Sequence, residues 1–267
     1  MIGTIETKQQ QLTKGYYSIG NGSEVVLIMG SCRAVPYLNF FNDWNKTFNR
    51  FTICFIDPFN WNWDINNERV DYDKALAQCE SNEDLLKMLR TATIFIHEYY
   101  VNAGMFNVNR IKDFGLNPKI DICLPNFNDL FILTADIVSF DMDIKKKAIA
   151  DYNVSGKLSE RTLIDIENIR QTNLDKFYSI CAKSSLPEFA EIFRLNYKLK
   201  RFFWTSNHIG VAFSKAIYKL MNGKYLHLQE HILNDVDMYA NNYTHLTEYD
   251  KDFHFKEDVK PLKTYLF

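Results

Sequence analysis

The first half of the chain alternates short apolar runs with stretches of helical period. Glu24-Val-Val-Leu-Ile-Met29 is a continuous apolar run rich in branched side chains, the pattern of a strand covered on both faces. It stops at Gly30-Ser31-Cys32-Arg33. From there Val35, Leu38, Phe41, Trp44 and Phe48 recur at helical spacing. Arg50-Phe-Thr-Ile-Cys-Phe-Ile-Asp57, closed by Pro58, predicts a second strand. The stretch Asp71 to Arg90 reads as helical, with Leu85, Leu86 and Leu89 on one face and Ser81 followed by Asp84 as a start signal. Ala92-Thr-Ile-Phe-Ile-His97 is a third strand and Lys119-Ile-Asp-Ile-Cys-Leu124 a fourth.

Residues 143–200 differ in character. Leu163, Ile166 and Ile169 take the spacing of an amphipathic helix among mixed charges, and a further helix is expected near Pro187. This region reads as a helical insertion or cap within one domain covering 1–267. Lys200-Arg-Phe-Phe-Trp-Thr205 is the fifth expected strand. A helix bearing Val211, Phe213, Ile217, Leu220 and Met221 comes after it, with Gly223 as its stop. From about residue 224 the tail is polar and aromatic without a period. Strands alternating with helices predict an α/β fold, a three-layer sandwich around a mainly parallel sheet.

Composition narrows the function. With 31 basic against 33 acidic side chains the net charge is −2, which argues against nucleic-acid backbone binding. Only ten glycines are present, and no Walker A sequence. Gly20-Asn-Gly22 precedes the first strand, so it is not a dinucleotide-binding turn. The five cysteines (Cys32, Cys54, Cys79, Cys123, Cys181) form no CxxC pair and read as free thiols of a reducing compartment. No apolar run approaches the ~20 residues of a membrane span, and the first residues lack the order of a signal peptide. A cytoplasmic protein is expected.

In a parallel sheet, ligands bind at the carboxyl ends of the strands. The residues expected there are Ser31, Cys32 and Arg33; Asp57; His97, Glu98 and Asn102; Asn126; and Asn207 with His208. Cys32 sits in a strand-to-helix turn, where a helix dipole and Arg33 favour thiolate and neighbouring N–H groups are available to an oxyanion. The bland alternative is a small cysteine filling a strand end. His208 is either a general base for Cys32 or a capping or surface histidine beside Ser206 and Asn207. His97 reads as a strand end facing water, and Glu98 as a group orienting a histidine or a substrate hydroxyl. His227-Leu-Gln-Glu230-His231 has the form of an inverted zincin site but lacks a third ligand, so no metal is expected. Asp141-Met-Asp143 reads as a solvated acidic loop. Phe40-Phe41 and Phe59-Asn-Trp61-Asn-Trp63 read as core or pocket lining, with Trp61 and Trp63 as a candidate sugar platform.

Gly30-Ser-Cys-Arg33, Ile96-His-Glu-Tyr99 with Asn102, Leu124-Pro-Asn-Phe127 and Asn207-His208 together resemble the WcbI family of capsular polysaccharide biosynthesis, over roughly residues 24–222. A broader likeness is to SGNH hydrolases, whose nucleophile lies in the turn after the first strand. The resemblance implies a flavodoxin- or SGNH-like sheet with coenzyme A or acetyl-coenzyme A as acyl donor and a sugar hydroxyl as acceptor. It implies Cys32 as nucleophile or oxyanion-site member, His208 as base, Glu98 and Asn102 positioning the acceptor, and Ser31, Arg33, Asn102 and Asn207 as cofactor-binding or oxyanion residues. The SGNH Asp-x-x-His becomes Thr205-x-x-His208 here, so the acid of a triad is missing. A thiol needs less activation than a hydroxyl, so a Cys–His dyad suffices. The rival expectations are an ester or thioester hydrolase and a non-catalytic binding protein on the same scaffold.

Overall fold

Strands that are apolar on both faces require helices on both faces, and the arrangement around Glu24–Met29 results from that need. The computed structural model describes residues 16–31, 33–56, 63–64, 69–70, 81–99, 108–127, 130, 137, 141–197, 202–205 and 208–230. In chain order the elements are β1 (Tyr16–Ile19), β2 (Glu24–Met29), α1 (Val35–Phe48), β3 (Phe51–Ile56), β4 (Trp63–Asp64), β5 (Arg69–Val70), α2 (Glu83–Thr91), β6 (Ala92–Glu98), α3 (Val108–Asp113) and β7 (Ile120–Leu124). Then come α4 (Met142–Ser155), α5 (Glu160–Lys183), α6 (Phe189–Asn196), β8 (Phe203–Thr205), β9 (His208–Ile209) and α7 (Val211–Met221), which runs into a π-helical turn at Asn222–Leu226. The chain divides into two compact units. Among the described residues, one comprises those up to Asn126, Ser184–Leu186 and those from Ile217 to Glu230; the other comprises those from Phe127 to Lys183 and from Pro187 to Ala216.

The first unit is built on a five-stranded sheet of order β1-β3-β2-β6-β7. The strands β3, β2, β6 and β7 are parallel, and β1 closes the β3 edge antiparallel, Tyr16 opposite Ile56. Leu27, Met29, Cys54, Ile56 and Phe95 form one face with Leu85 and Leu89 of α2 and Ile111 of α3. On the other face, Phe51 packs edge-on against Phe41 of α1 and lies 5.3 Å from the Trp44 ring. Phe41 in turn meets Tyr218. A bulge at Thr93 lets Ala92 pair with Val25 while Ile94 pairs with Val26. The extra residue puts Ala92 and Phe95 on one face despite their odd separation. The register downstream of that bulge decides which way His97 and Glu98 face.

The fifth expected strand requires correction. Phe203–Thr205 is not part of the sheet; β8 pairs antiparallel with β9, Thr205 opposite His208, in the second unit. The sheet is completed by β1 instead. Its four residues carry no alternation and their partner lies some forty positions downstream, so local pattern does not reveal it. The start of α2 also shifts. Asn82, not Ser81, is the cap, its Oδ1 accepting from Leu85 N at 3.1 Å and from the Tyr16 hydroxyl at 3.3 Å.

The second unit is helical and aromatic. Phe127, Phe177, Phe189, Phe193, Phe202, Phe203 and Phe213 form one cluster, with Phe177 4.3 Å from Phe127 and 4.1 Å from Phe193 between centroids. The helices α4 and α5 bury Ile144, Ala148, Leu158 and Ile166 between them, whereas Leu163 is about half exposed. Asp141 caps α4, accepting from Asp143 N and Ile144 N, so Asp141-Met-Asp143 is a helix start rather than a loop. Among the described residues, no helix is long and apolar enough to cross a membrane.

Candidate functional site

Because β2, β6 and β7 are parallel and adjacent, their carboxyl ends share one edge of the sheet. That edge carries Gly30, Ser31 and Arg33 after β2, Glu98 and Tyr99 at the end of β6, and Asn126 beyond β7. The ladder runs to its limit there, with Tyr99 N donating to Leu124 O at 2.7 Å. Cys32, Asp57, Asn102 and Asn207 lie outside the described residues, as do Trp61 and His231. His208 enters only through its backbone, as the first residue of β9 in the second unit.

Glu98 organises the turn. It shares a face with Ile96, opposite Phe95 and His97, and is 3% exposed. Its carboxylate accepts from Ser31 N at 3.1 Å and from Ser31 Oγ at 3.0 Å, and Arg33 Nε lies 3.8 Å away. Ser31 Oγ accepts from Arg33 N at 3.3 Å, and Ser31 O accepts from Ala34 N at 2.9 Å. The N–H groups of Ser31, Arg33 and Ala34 are thus engaged inside the turn. Their availability to an oxyanion, expected from the turn's position, is not met at these three residues. Ser31 is bound to the scaffold, and Glu98 orients Ser31.

Gly30 is required by the same packing. A Cβ there would come within 2.6 Å of the Ala34 Cβ and 3.0 Å of the Glu98 Cδ, so only glycine lets β2 pass this close to the carboxylate. The helix α1 begins directly after the turn. Ala34 at its cap offers no side-chain acceptor, Pro36 stands at its start, and its first turn holds no acidic residue. The positive end of its dipole is therefore offset by no carboxylate of its own first turn, while the buried Arg33 beside it is countered by the Glu98 carboxylate at 3.8 Å. One turn further on, Tyr37 is fully buried. Desolvation, then the Glu98 charge, push its hydroxyl well above the usual range, so it stays a neutral phenol. Tyr37 lies off the Val35, Leu38, Phe41, Trp44 and Phe48 repeat, so the sequence pattern does not mark it.

His97 belongs elsewhere. It stacks on Phe95 at 4.8 Å, its Nε2 lies 3.1 Å from Asp121 Oδ1, and Lys112 Nζ reaches Asp121 Oδ2 at 2.6 Å. The histidine bond, with help from Lys112, brings the Asp121 carboxyl down to about 2. Far from facing water, His97 is held to Asp121 by a hydrogen bond, on the face opposite Glu98. Its register neighbour Cys123 is half-buried, and burial, reinforced by the Asp121 charge, pushes that thiol up to about 12. Cys54 and Cys181 are buried cysteines. His227 comes after the π-helical turn in a left-handed conformation and is not on a helix with Glu230, so the helical spacing of the zincin-like motif is absent. Among the described residues no cluster of three or more potential ligands could hold a metal.

No protein-family model matches the chain, and no curated protein matches it in sequence. Among solved structures, the chain is similar to WcbI, described as a novel polysaccharide biosynthesis enzyme and solved as the native protein without a disulfide bond between COA and one of its cysteines. The TM-score is 0.50 at 13% identity, over 80% of this chain and 74% of that one. At that identity the likeness speaks for the fold, a mixed α/β architecture around a mostly parallel five-stranded sheet.

Proposed function

We propose that the chain is a coenzyme A-dependent acyltransferase that moves an acyl group, such as acetyl, to a hydroxyl of a sugar or polysaccharide precursor. The observation that carries this reading is the turn from Gly30 to Ala34. It stands at the carboxyl edge of a parallel sheet, held by the buried Glu98, with Arg33 and the start of α1 behind it. Such a turn is overbuilt for a plain connection. The N-terminus of α1 after position 32 favours thiolate there and stabilises a negatively charged carbonyl oxygen, with the Arg33 guanidinium held beside it by Glu98. The likeness to WcbI, and the COA in that protein's description, support coenzyme A as donor.

In the proposed reaction the Cys32 thiolate attacks the thioester carbonyl and the coenzyme A thiolate leaves. The sugar hydroxyl then attacks the acyl-cysteine, giving its proton to His208 and regenerating the Cys32 thiolate. In the direct route the hydroxyl, giving its proton to His208, attacks the thioester itself, the C–S bond breaks and the departing coenzyme A thiolate takes that proton, while Cys32 only lines the site. Glu98 serves as a positioning residue for the turn, Arg33 as the cation near the developing charge, and Asn102 and Asn207 as substrate contacts inferred from the resemblance.

Isothermal titration of the full chain with coenzyme A and acetyl-coenzyme A is the first test, and absence of binding to both ends the proposal. Thiol release from acetyl-coenzyme A, measured with and without a panel of carbohydrates, separates a transferase from a hydrolase. Cys32→Ala and His208→Ala should each abolish turnover with the fold retained. An acylated Cys32 peptide in the mass spectrum selects the covalent route.

A further inference from the structure

One buried polar atom at this edge has no partner among the described residues. Asn126 lies just beyond β7, is buried at a relative exposure of 5%, and its Oδ1 has no hydrogen-bond partner. A buried carboxamide oxygen left without a donor carries the full desolvation cost of that group, and native structures seldom tolerate this without a reason. Two other groups of this kind stand near the edge, and both have a counterpart. Arg33 Nε faces the Glu98 carboxylate at 3.8 Å. Nδ1 of His97 lies on the opposite face, in a ring already held to Asp121 through its second nitrogen. The Asn126 oxygen is absorbed by no such network among the described residues.

Its place in the sheet indicates what it would accept. β2 and β7 flank β6, so the ends of β2 and β7 lie two strand spacings apart, about 10 Å. A pantetheine arm carries two amide N–H groups, the second about 9 Å from the sulfur when the arm is extended. With the sulfur at the turn after β2 and the arm running across β6 along the sheet edge, that amide falls at β7. We infer that Asn126 is a binding residue for the donor, its Oδ1 accepting a hydrogen bond from an amide N–H of the pantetheine arm. The inference rests on coenzyme A being the donor, and it assigns a residue for which the resemblance implied no role.

The test uses the full-length chain and the near-isosteric variant Asn126→Leu, with Asn126→Ala as a second variant should the leucine fail to fold. Three probes are titrated by calorimetry: coenzyme A, pantetheine, and adenosine 3′,5′-bisphosphate, which lacks the arm. The expected result is roughly tenfold weaker binding of coenzyme A and pantetheine to the variant, the loss of about one hydrogen bond, with unchanged binding of the bisphosphate. The ligand-free variant should melt at the same temperature as wild type or higher, since it no longer buries an unsatisfied oxygen; a structural role would lower it. Equal affinity of wild type and variant for coenzyme A overturns the inference and leaves the donor proposal standing, as does loss that extends to the bisphosphate or a clear fall in melting temperature. A wild-type chain that binds no coenzyme A removes the donor proposal itself, and this inference with it.

Discussion

Replacing Glu98 separates a positioning carboxylate from an incidental one. In Glu98→Ala the Ser31 N–H and hydroxyl lose their acceptor, and Arg33, itself 6% exposed, loses a countercharge at 3.8 Å. Removing one partner of a buried ion pair costs about 3–5 kcal/mol. The long Nε–Oε1 separation argues for the lower end, about 3 kcal/mol. Glu98→Gln keeps an oxygen for the Ser31 N–H and should lose only about 1–2 kcal/mol. Urea denaturation monitored by tryptophan fluorescence reads both values. For a chain of this size about 3 kcal/mol corresponds to a fall in melting temperature of roughly 6–12 °C. Both variants should also weaken coenzyme A binding, the alanine more, because the turn relaxes. An alanine variant within about 1 kcal/mol of wild type, or a glutamine variant worse than the alanine, would refute the reasoning. The carboxylate would then not be what holds the turn.

The same geometry carries other expectations. Gly30→Ala drives a Cβ to 2.6 Å from the Ala34 Cβ and should destabilise by about 1–3 kcal/mol, whereas Gly223→Ala, which meets nothing within 4 Å, should be nearly neutral; thermal melts compare them. Asp121 has its carboxyl lowered from the ordinary value to about 2, so its contribution is fully present above about pH 4 and is lost as pH falls towards 2. Urea midpoints measured across that range should fall for wild type and fall less for Asp121→Asn. Cys123, pushed up to about 12 by burial, and the deeply buried Cys181, also raised, should resist iodoacetamide at pH 8 in the folded protein and react on unfolding, which peptide mass mapping resolves. Asp141→Ala removes the cap of α4 and should cost about 1 kcal/mol in the same urea assay.

How much was legible depended on whether the information was local. The buried parallel strands β2, β3, β6 and β7 and the helix α1 are plain in the sequence, because a strand covered on both faces must be apolar at successive positions and a half-covered helix must repeat every three to four. The position of the turn after β2, and with it the interest of Gly30, Ser31 and Arg33, comes from the same pattern. So do the carboxyl ends of β6 and β7, which bring Glu98 and Asn126 to notice. Local pattern failed where pairing was distant or backbone count mattered. Tyr16–Ile19 becomes a strand only because β3 supplies a free edge, and Phe203–Thr205, as apolar as a sheet strand, pairs with its own neighbour instead. Which of His97 and Glu98 faces the turn was decided by one extra residue at Thr93, since a single bulge reverses the face of every later residue in the strand. That Glu98 takes up the Ser31 N–H, and that Asn126 is buried with an oxygen unanswered among the described residues, are facts of three-dimensional neighbourhood. Hydrogen-bond satisfaction depends on which atoms meet across the sheet, and no spacing along the chain records it.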